Sequence, residues 1–318
     1  MALRADDLID RRRLRRKLTF WRAAAIAIVA LAVIALAVWL QGDGFNGSAV
    51  NHIAKVRIEG TITEDEELIE RLESIRLSSK VQGVILSIDS PGGTTVGGES
   101  IFEEVRKLAA DKPVVAEVGT LAASAGYMIA SAADHIVARK TSIVGSIGVL
   151  IQYPDVSGLM DKLGVKLEEV KSSPLKAAPS PFKPTNDEER AMVRKLILDS
   201  YDWFVGIVAE RRKMTHEQAL ALADGSIFTG RQGLANGLVD AVGGEKEAVD
   251  WLATKGVDAK LDVIEWKSKE GRGGFLFSKA MVRTIGAALG LPVSSGDIMQ
   301  ELGADRLFLD GLVSVWHP

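Results

Sequence analysis

Cysteine is absent from the 318 residues. Disulfides, thiolate catalysis and cysteine-bound metals are therefore excluded. Histidine is almost as scarce. His52, His135, His216 and His317 are scattered, and no two have the spacing of a metal-binding HExxH pair. No metal and no cofactor are expected. Positive charge is also short over most of the chain. The first 22 residues carry eight basic against three acidic side chains, and the rest carries 31 basic against 39 acidic. A net charge of −3 thus hides a basic head on an acidic body, and an acidic body has no electrostatic footprint for nucleic acid. Internal repeats and long low-complexity tracts are missing as well.

One long apolar run is present. "RRRLRRKLTFWRAAAIAIVALAVIALAVWLQGDG" contains 18 consecutive residues, Ala23 to Leu40, with no charged side chain. At about 1.5 Å per residue, with Phe20 and Trp21 added, it spans roughly the 30 Å hydrocarbon core. Trp21 and Trp39 stand at its ends, where indole rings favour the membrane interface. The Arg/Lys cluster precedes the run, so the N-terminus is expected in the cytoplasm and the body on the far side. A cleaved signal peptide is the rival reading. Its apolar region is typically about 7–15 residues and ends at a small-x-small site. This run is longer, and "QGDGFNG" offers no such site, so an uncleaved anchor is expected.

Beyond a short linker, strand and helix patterns alternate. "HIAKVRIEG" alternates apolar and polar residues, as a half-buried strand does. "EDEELIERLESIRL" places Leu68, Ile69, Leu72 and Ile75 at helical spacing. "VQGVILSID" is a β-branched run ending in "SPGG", "GESIFEEVRKLAA" is helical again, and "PVVAEV", "HIVA" and "GVLIQY" read as further strands. This order predicts an α/β domain with a mostly parallel, helix-covered sheet. The second half is more helical. "NDEERAMVRKLILDSYDWFVGIVAERRK" predicts one long helix capped by Thr185 or Asn186, with acidic residues in its first turn. "THEQALALADG" carries a capping box, Thr215 with Gln218, and "TGRQGLANGLVD" is a short helix closed by glycine.

"LAASAGYMIA", residues 121–130, is the first candidate for chemistry. Ser124 stands where a strand gives way to a helix, among the small residues Ala122, Ala123, Ala125 and Gly126. They permit a sharp turn, a loose form of the nucleophile elbow. The helix start leaves backbone N–H groups available, so Ala125 is a natural oxyanion donor. Packing alone would also suit these residues, and Tyr127 to Ala132 are expected to form a buried helix. "DSPGGTTVGG" ends the preceding strand. Gly92 and Gly93 there allow close backbone approach to a substrate, and either could be a second oxyanion donor. A base is harder to find. His135 is expected at the opposite edge of the sheet, in a structural role. His52, His216 and His317 are no better placed. A lysine with a lowered pKa is the alternative. Lys176, in "SSPLKAAPSPF", has no carboxylate within several residues, although the local sequence alone would favour an exposed loop lysine. Lys171 is the runner-up, with Glu168 and Glu169 beside it keeping it charged.

With those residues in place, the sequence resembles the signal peptide peptidase A family, the membrane-anchored Ser/Lys proteases of peptidase family S49, in its short single-copy form. The resemblance runs from about Val56 to Gly244 through "DSPGG", "AASAGYMIA", "TSIVGSIGV", "LKAAPSPF" and "FTGRQGLANGLVD". It implies the Clp/crotonase-like fold, with repeated β-β-α units and a mostly parallel sheet, here after one N-terminal transmembrane helix. It implies Ser124 as nucleophile, Lys176 as general base, Ser146 as the serine that orients the lysine, and Gly92, Gly93 and Ala125 around the oxyanion. A residue that is often glycine in the family is Ala125 here, which keeps its N–H. Clp proteases use a Ser-His-Asp triad, but no histidine lies in Val144–Leu150, where theirs would fall. The implied division is a cytoplasmic N-terminus at 1–22, a signal anchor at 23–40, a linker at 41–52, a protease domain at 53–270 and an extension at 271–318. The implied setting is the bacterial cytoplasmic membrane, with the lipid bilayer as partner through residues 23–40 and the body outside. The implied substrates are cleaved signal peptides or other apolar peptides, met by a ring-like or dome-like homo-oligomer that can unite Ser124 and Lys176 from different protomers. A crotonase-type acyl-CoA enzyme and a non-catalytic membrane scaffold are the alternatives.

Overall fold

The structure, a computed structural model, describes residues 21–22, 24–26, 28–29, 50–267 and 313–315. The run at 23–40 lies mostly outside the described residues, and so does most of 271–318. Among the described residues, no helix is long and apolar enough to cross a membrane. Residues 1–49 and 50–318 form separate compact units. In the first, the described residues are helical and mostly exposed.

The second unit is built on one sheet. Strands β1 (His52–Ile62), β2 (Val81–Thr94), β3 (Val114–Ala123) and β4 (His135–Ala138) pair in parallel in that order. Strand β5 (Ile143–Gly145) pairs in parallel with the end of β3, and β8 (Val263–Glu265) with β1. Short strands β6 (Ile227–Thr229) and β7 (Ala241–Val242) extend the sheet beside β5 and β4. Only two pairings among the described strands are antiparallel: β5 with β6, and β2 with β9 (Val313–Val315). The mixed α/β architecture with a mostly parallel sheet agrees with the sequence reading.

Helices cover both faces, and the two-residue period of the strands decides which side chains go where. Ala54, Leu86, Ala116 and Ile136 pack with helices α1 (Glu66–Leu77), α2 (Thr95–Asp111) and α3 (Ala125–Ala132). Ile53, Ile85, Val115 and Val137 face the other way, onto Ala248, Leu252 and Val257 around helix α8 (Glu245–Thr254). Because both faces are buried, the central strands read as near-continuous apolar runs rather than clean alternations.

Between α3 and α8 in the chain come α4 (Ser157–Leu163), α5 (Asp187–Arg211), α6 (His216–Ala221) and α7 (Gly230–Ala235). Asn186 caps α5 in a capping box with Glu189, and Thr215 caps α6 with Gln218. Each box satisfies backbone donors at a helix start that have no partner within the helix. Only the C-terminal half of α5 is core, through Phe204, Val205, Ile207 and Val208.

Two expectations are corrected. "GVLIQY" (148–153) is not a strand; the strand is Ile143–Gly145, and the chain after it is irregular. The SPGG stretch does not end β2 but lies within it, since the strand continues to Thr94. Thr94 then caps α2, its Oγ1 accepting from Gly97 N at 3.1 Å.

Candidate active site

Three neighbouring features meet at the ends of β2, β3 and β5. Ser124 is the single residue between β3 and α3, with φ 57° and ψ −121°. For a residue with a Cβ this is a strained conformation, typically about 1–3 kcal/mol above a relaxed one. The turn is held on both sides. Ser124 N–H donates to Gly145 O at 2.8 Å, and Met128 N–H donates to Ser124 O at 2.9 Å. All eight residues of α3 are buried, so the helix cannot shift to relieve the turn.

The hydrogen bond from Ser124 also locates Ser146. Gly145 ends β5, and Ser146 follows it with φ 51° and donates its N–H to Ser226 O at 2.8 Å. Ser124 and Ser146 thereby line one cavity of about 630 Å³. Its other walls are Ile147, Val149 and Leu150 after β5, Ile197, Leu198 and Tyr201 on α5, and the loop Ala223–Gly225. Tyr201 Oη donates to Ala223 O at 2.7 Å and so ties α5 to that loop. Asp224 is the one charged residue among those lining the cavity.

The glycines of β2 lie alongside. Ser90 is in register with Ala122 of β3. A Cβ on Gly126 would sit 2.9 Å from Ser90 O, so the start of α3 rests against β2. Gly92 has φ 107°, and a Cβ on Gly93 would fall 1.8 Å from Ile62 O; neither position tolerates a side chain without rearrangement. Gly92 N–H donates to Ser90 Oγ at 3.1 Å.

Lys176 is not among the residues lining the Ser124 cavity. It is exposed in the irregular segment between α4 and α5. Lys171 lies 2.8 Å from Glu169, the neighbour expected to keep it charged. None of the described histidines reaches Ser124. His135 opens β4, stacks on Trp251 at 4.9 Å and lies 3.8 Å from Asp240. Partial burial holds its pKa below the ordinary imidazole value despite that carboxylate. His52 is buried, its Nε2 accepting from Trp266 Nε1–H at 3.0 Å. His216 sits in the first turn of α6, 3.6 Å from Asp202. His317 lies outside the described residues.

A strained serine between a parallel strand and a buried helix, beside a glycine-rich strand, is an arrangement suited to acyl transfer. Comparison with known proteins agrees. The model of peptidase family S49 matches residues 106–260, and that of Clp protease matches residues 49–152. The Methanocaldococcus jannaschii protein MJ0651, named as a protease, is 37% identical over 222 residues, or 70% of this chain and 71% of that one. The Enterococcus faecium protein named as signal peptide peptidase SppA is 34% identical over 236 residues, or 70% of this chain and 69% of its own. Protease 4 of Haemophilus influenzae is 36% identical over 283 residues, or 82% of this chain but 45% of its own length.

The chain belongs to peptidase family S49. The motif resemblance therefore holds, and the S49 match covers the stretch containing Ser124, Ser146 and Lys176. Sequence reasoning missed the cavity walls. Ile197, Leu198 and Tyr201 lie on a helix whose local pattern shows only that it is long and capped at its start. Asp224 and Gly225 sit in a turn with no motif of its own. Their role comes from tertiary packing, which no short window contains.

Proposed function

We propose that this S49 peptidase is a membrane-anchored serine endopeptidase with a Ser/Lys dyad, acting on apolar peptides such as cleaved signal peptides. The observation that carries the reading is Ser124 itself, strained at a strand-to-helix turn and sharing an apolar cavity with Ser146. Lys176, neutral when it acts, takes the proton from Ser124 Oγ as the oxygen attacks the peptide carbonyl carbon. The N–H groups of Ala125 and of one SPGG glycine stabilise the oxyanion. Gly92 and Gly93 both stay candidates, since Gly92 N–H donates to Ser90 Oγ and Gly93 is in register with Ile62 of β1 and Ser314 of β9. Lys176 then protonates the leaving amine, the C–N bond breaks, and water hydrolyses the Ser124 ester. Ser146 Oγ accepts from the lysine ammonium and orients it. Ile147, Val149, Leu150, Ile197 and Leu198 favour apolar substrate side chains.

Lys176 reaches a serine pocket by association. Among the described residues of 151–186 only Ser180 is buried, and Leu159, Leu163, Val165 and Val170 are exposed. An apolar arm of this kind suits burial against a second copy of the chain. We therefore assign the working form to a homo-oligomer in which Lys176 of one protomer serves Ser124 of its neighbour. The basic head and apolar run of residues 1–40 support a cytoplasmic N-terminus, an anchor in the cytoplasmic membrane and a peptidase body outside it.

The test uses the full chain in detergent with a fluorogenic apolar peptide. Ser124→Ala and Lys176→Ala are each expected to lower kcat by about 10⁴-fold or more. Labelling by a serine-directed phosphonate should disappear in Ser124→Ala. Retention of cleavage by either variant overturns the dyad, and normal complementation by Ser124→Ala in cells would favour the scaffold reading.

A further inference from the structure

The segment carrying Lys176 has little core of its own, yet four charges draw its two ends together. On the upstream side, Lys171 Nζ is shielded from solvent and lies 2.8 Å from Glu169 Oε2, an ion pair rather than a directed hydrogen bond. On the downstream side, Lys183 Nζ donates to Glu189 Oε1 at 2.9 Å. The sides are joined by Lys183 Nζ and Glu169 Oε2 at 3.9 Å. Glu189 is the fixed end. Its side chain is 1% exposed, and its other oxygen accepts from Asn186 N–H as part of the α5 capping box. The pair with Lys183 holds the Glu189 carboxyl below the usual carboxylate range, and the same hydrogen bond raises Lys183.

Between these ends the backbone folds back on itself. Lys176 N–H donates to Ser173 O and Ala178 N–H to Leu175 O, both at 3.2 Å, giving two successive turns around Lys176. Val156 N–H donates to Pro181 O at 2.8 Å and ties the segment to the start of α4. The helix that receives the charge chain, α5, is also the one whose Ile197, Leu198 and Tyr201 wall the Ser124 cavity. The arm is thus attached to the scaffold of the cavity through side chains rather than through a packed core.

We propose that Lys171, Glu169, Lys183 and Glu189 form a positioning device for Lys176, closing the base of its loop onto the first turn of α5. The inference rests on Lys176 as general base. Buried or half-buried ion pairs add little net stability and can instead fix geometry, and two ammonium groups meet two carboxylates here, Lys171 through an ion pair alone. The requirement is the same whether Lys176 serves its own protomer or a neighbour, because association can place a base only if the arm presents it in one orientation.

The test compares Lys183→Met, Lys183→Arg, Glu169→Gln and Lys176→Ala in the full chain, with Lys246→Met as a control. Lys246 pairs with Asp250 on an exposed helix face away from the cavity lining. Lys183→Met is expected to lower kcat by about tenfold to a hundredfold with KM changed less than about twofold, the signature of a misplaced catalytic group. Lys183→Arg should restore most of the loss, and Lys246→Met should match the wild type. If Lys183→Met fails to fold, Glu169→Gln decides, since it breaks the link without stranding the buried Glu189; a smaller fall in kcat is expected. Wild-type kcat in a folded Lys183→Met, or in Glu169→Gln if that protein is the one available, overturns the proposal. So does a rise in KM with kcat intact. Activity retained in Lys176→Ala overturns instead the assignment of the base. An inactive Lys176→Ala beside a fully active Lys183→Met removes the positioning device alone.

Discussion

Ser124 is 1% exposed, stands between a strand and a helix with all eight residues buried, and is pinned through its own backbone to β3, α3 and β5. Lys176 is exposed in a stretch where α4 buries no residue. The two halves of the proposed dyad are therefore built by different means. The nucleophile's geometry comes from close packing within one chain, where a shift of a few tenths of an ångström meets neighbouring atoms on every side. The arm has turns and ion pairs to give it shape, and no comparable core behind it. Such a division suits an enzyme that stays inactive until copies assemble, because the nucleophile is prepared in advance and the base arrives with a partner.

The sharpest way to break this comparison is to mix two inactive proteins. Ser124→Ala and Lys176→Ala, co-expressed or subunit-exchanged, should recover cleavage well above the sum of the two alone if the base is contributed by a neighbour. If the dyad forms within one chain, no protomer in the mixture holds both groups and the mixture stays inactive. The expected gain is large, from background to a substantial fraction of wild-type activity.

A second variant addresses the arm's surface. Val170 is fully exposed and Leu163 is 69% exposed, so neither contributes packing within the chain. Leu163→Asp with Val170→Asp should leave the folded body intact, since surface substitutions away from a core usually change stability by no more than about 0.5 kcal/mol. It should nonetheless shift the protein toward monomer in light scattering and lower kcat by about tenfold or more, as buried carboxylates oppose association. An unchanged oligomer with full activity would detach the arm from assembly.

The same contrast explains what was legible in the sequence. The capping box Thr215–Gln218 is local, three residues across, and readable directly, whereas the sequence narrows the cap of α5 only to Thr185 or Asn186, and the structure shows Asn186 with Glu189. The central strands were readable because burial on both faces makes them apolar throughout. Val144 and Leu150 show where this stops. Both lie in apolar runs near the end of the sheet, and a short apolar run does not declare whether it pairs or lines a cavity. Ile143–Gly145 pairs with the last three residues of β3, while Val149 and Leu150 line the cavity instead. Ser124 and Ser146 were legible as candidates through the order of their motifs, but the cavity they share was not legible as a place. The local stretch "SSPLKAAPSPF" favours an exposed loop lysine, which Lys176 is, but nothing in it indicates that Glu189 anchors its loop.

The smallest effect tests the packed side of the comparison. If the strain at Ser124 is imposed by its surroundings, removing the Cβ should release it. Ser124→Gly is expected to abolish activity, and it should also stabilise the fold. Relief of a strained φ of 57° is worth about 1–3 kcal/mol, set against about 0.5–1 kcal/mol for the greater freedom of glycine in the unfolded chain. The balance is a gain of about 1 kcal/mol, equivalent to about 2–4 °C in Tm for a body of this size. Ser124→Ala keeps the Cβ and so keeps the strain. It should melt close to the wild type while being equally inactive. The difference between the two inactive proteins, read as a shift in urea midpoint at constant slope, isolates the backbone strain from the chemistry. Equal midpoints would mean that the turn costs nothing to hold and that the packing around α3 merely accepts it.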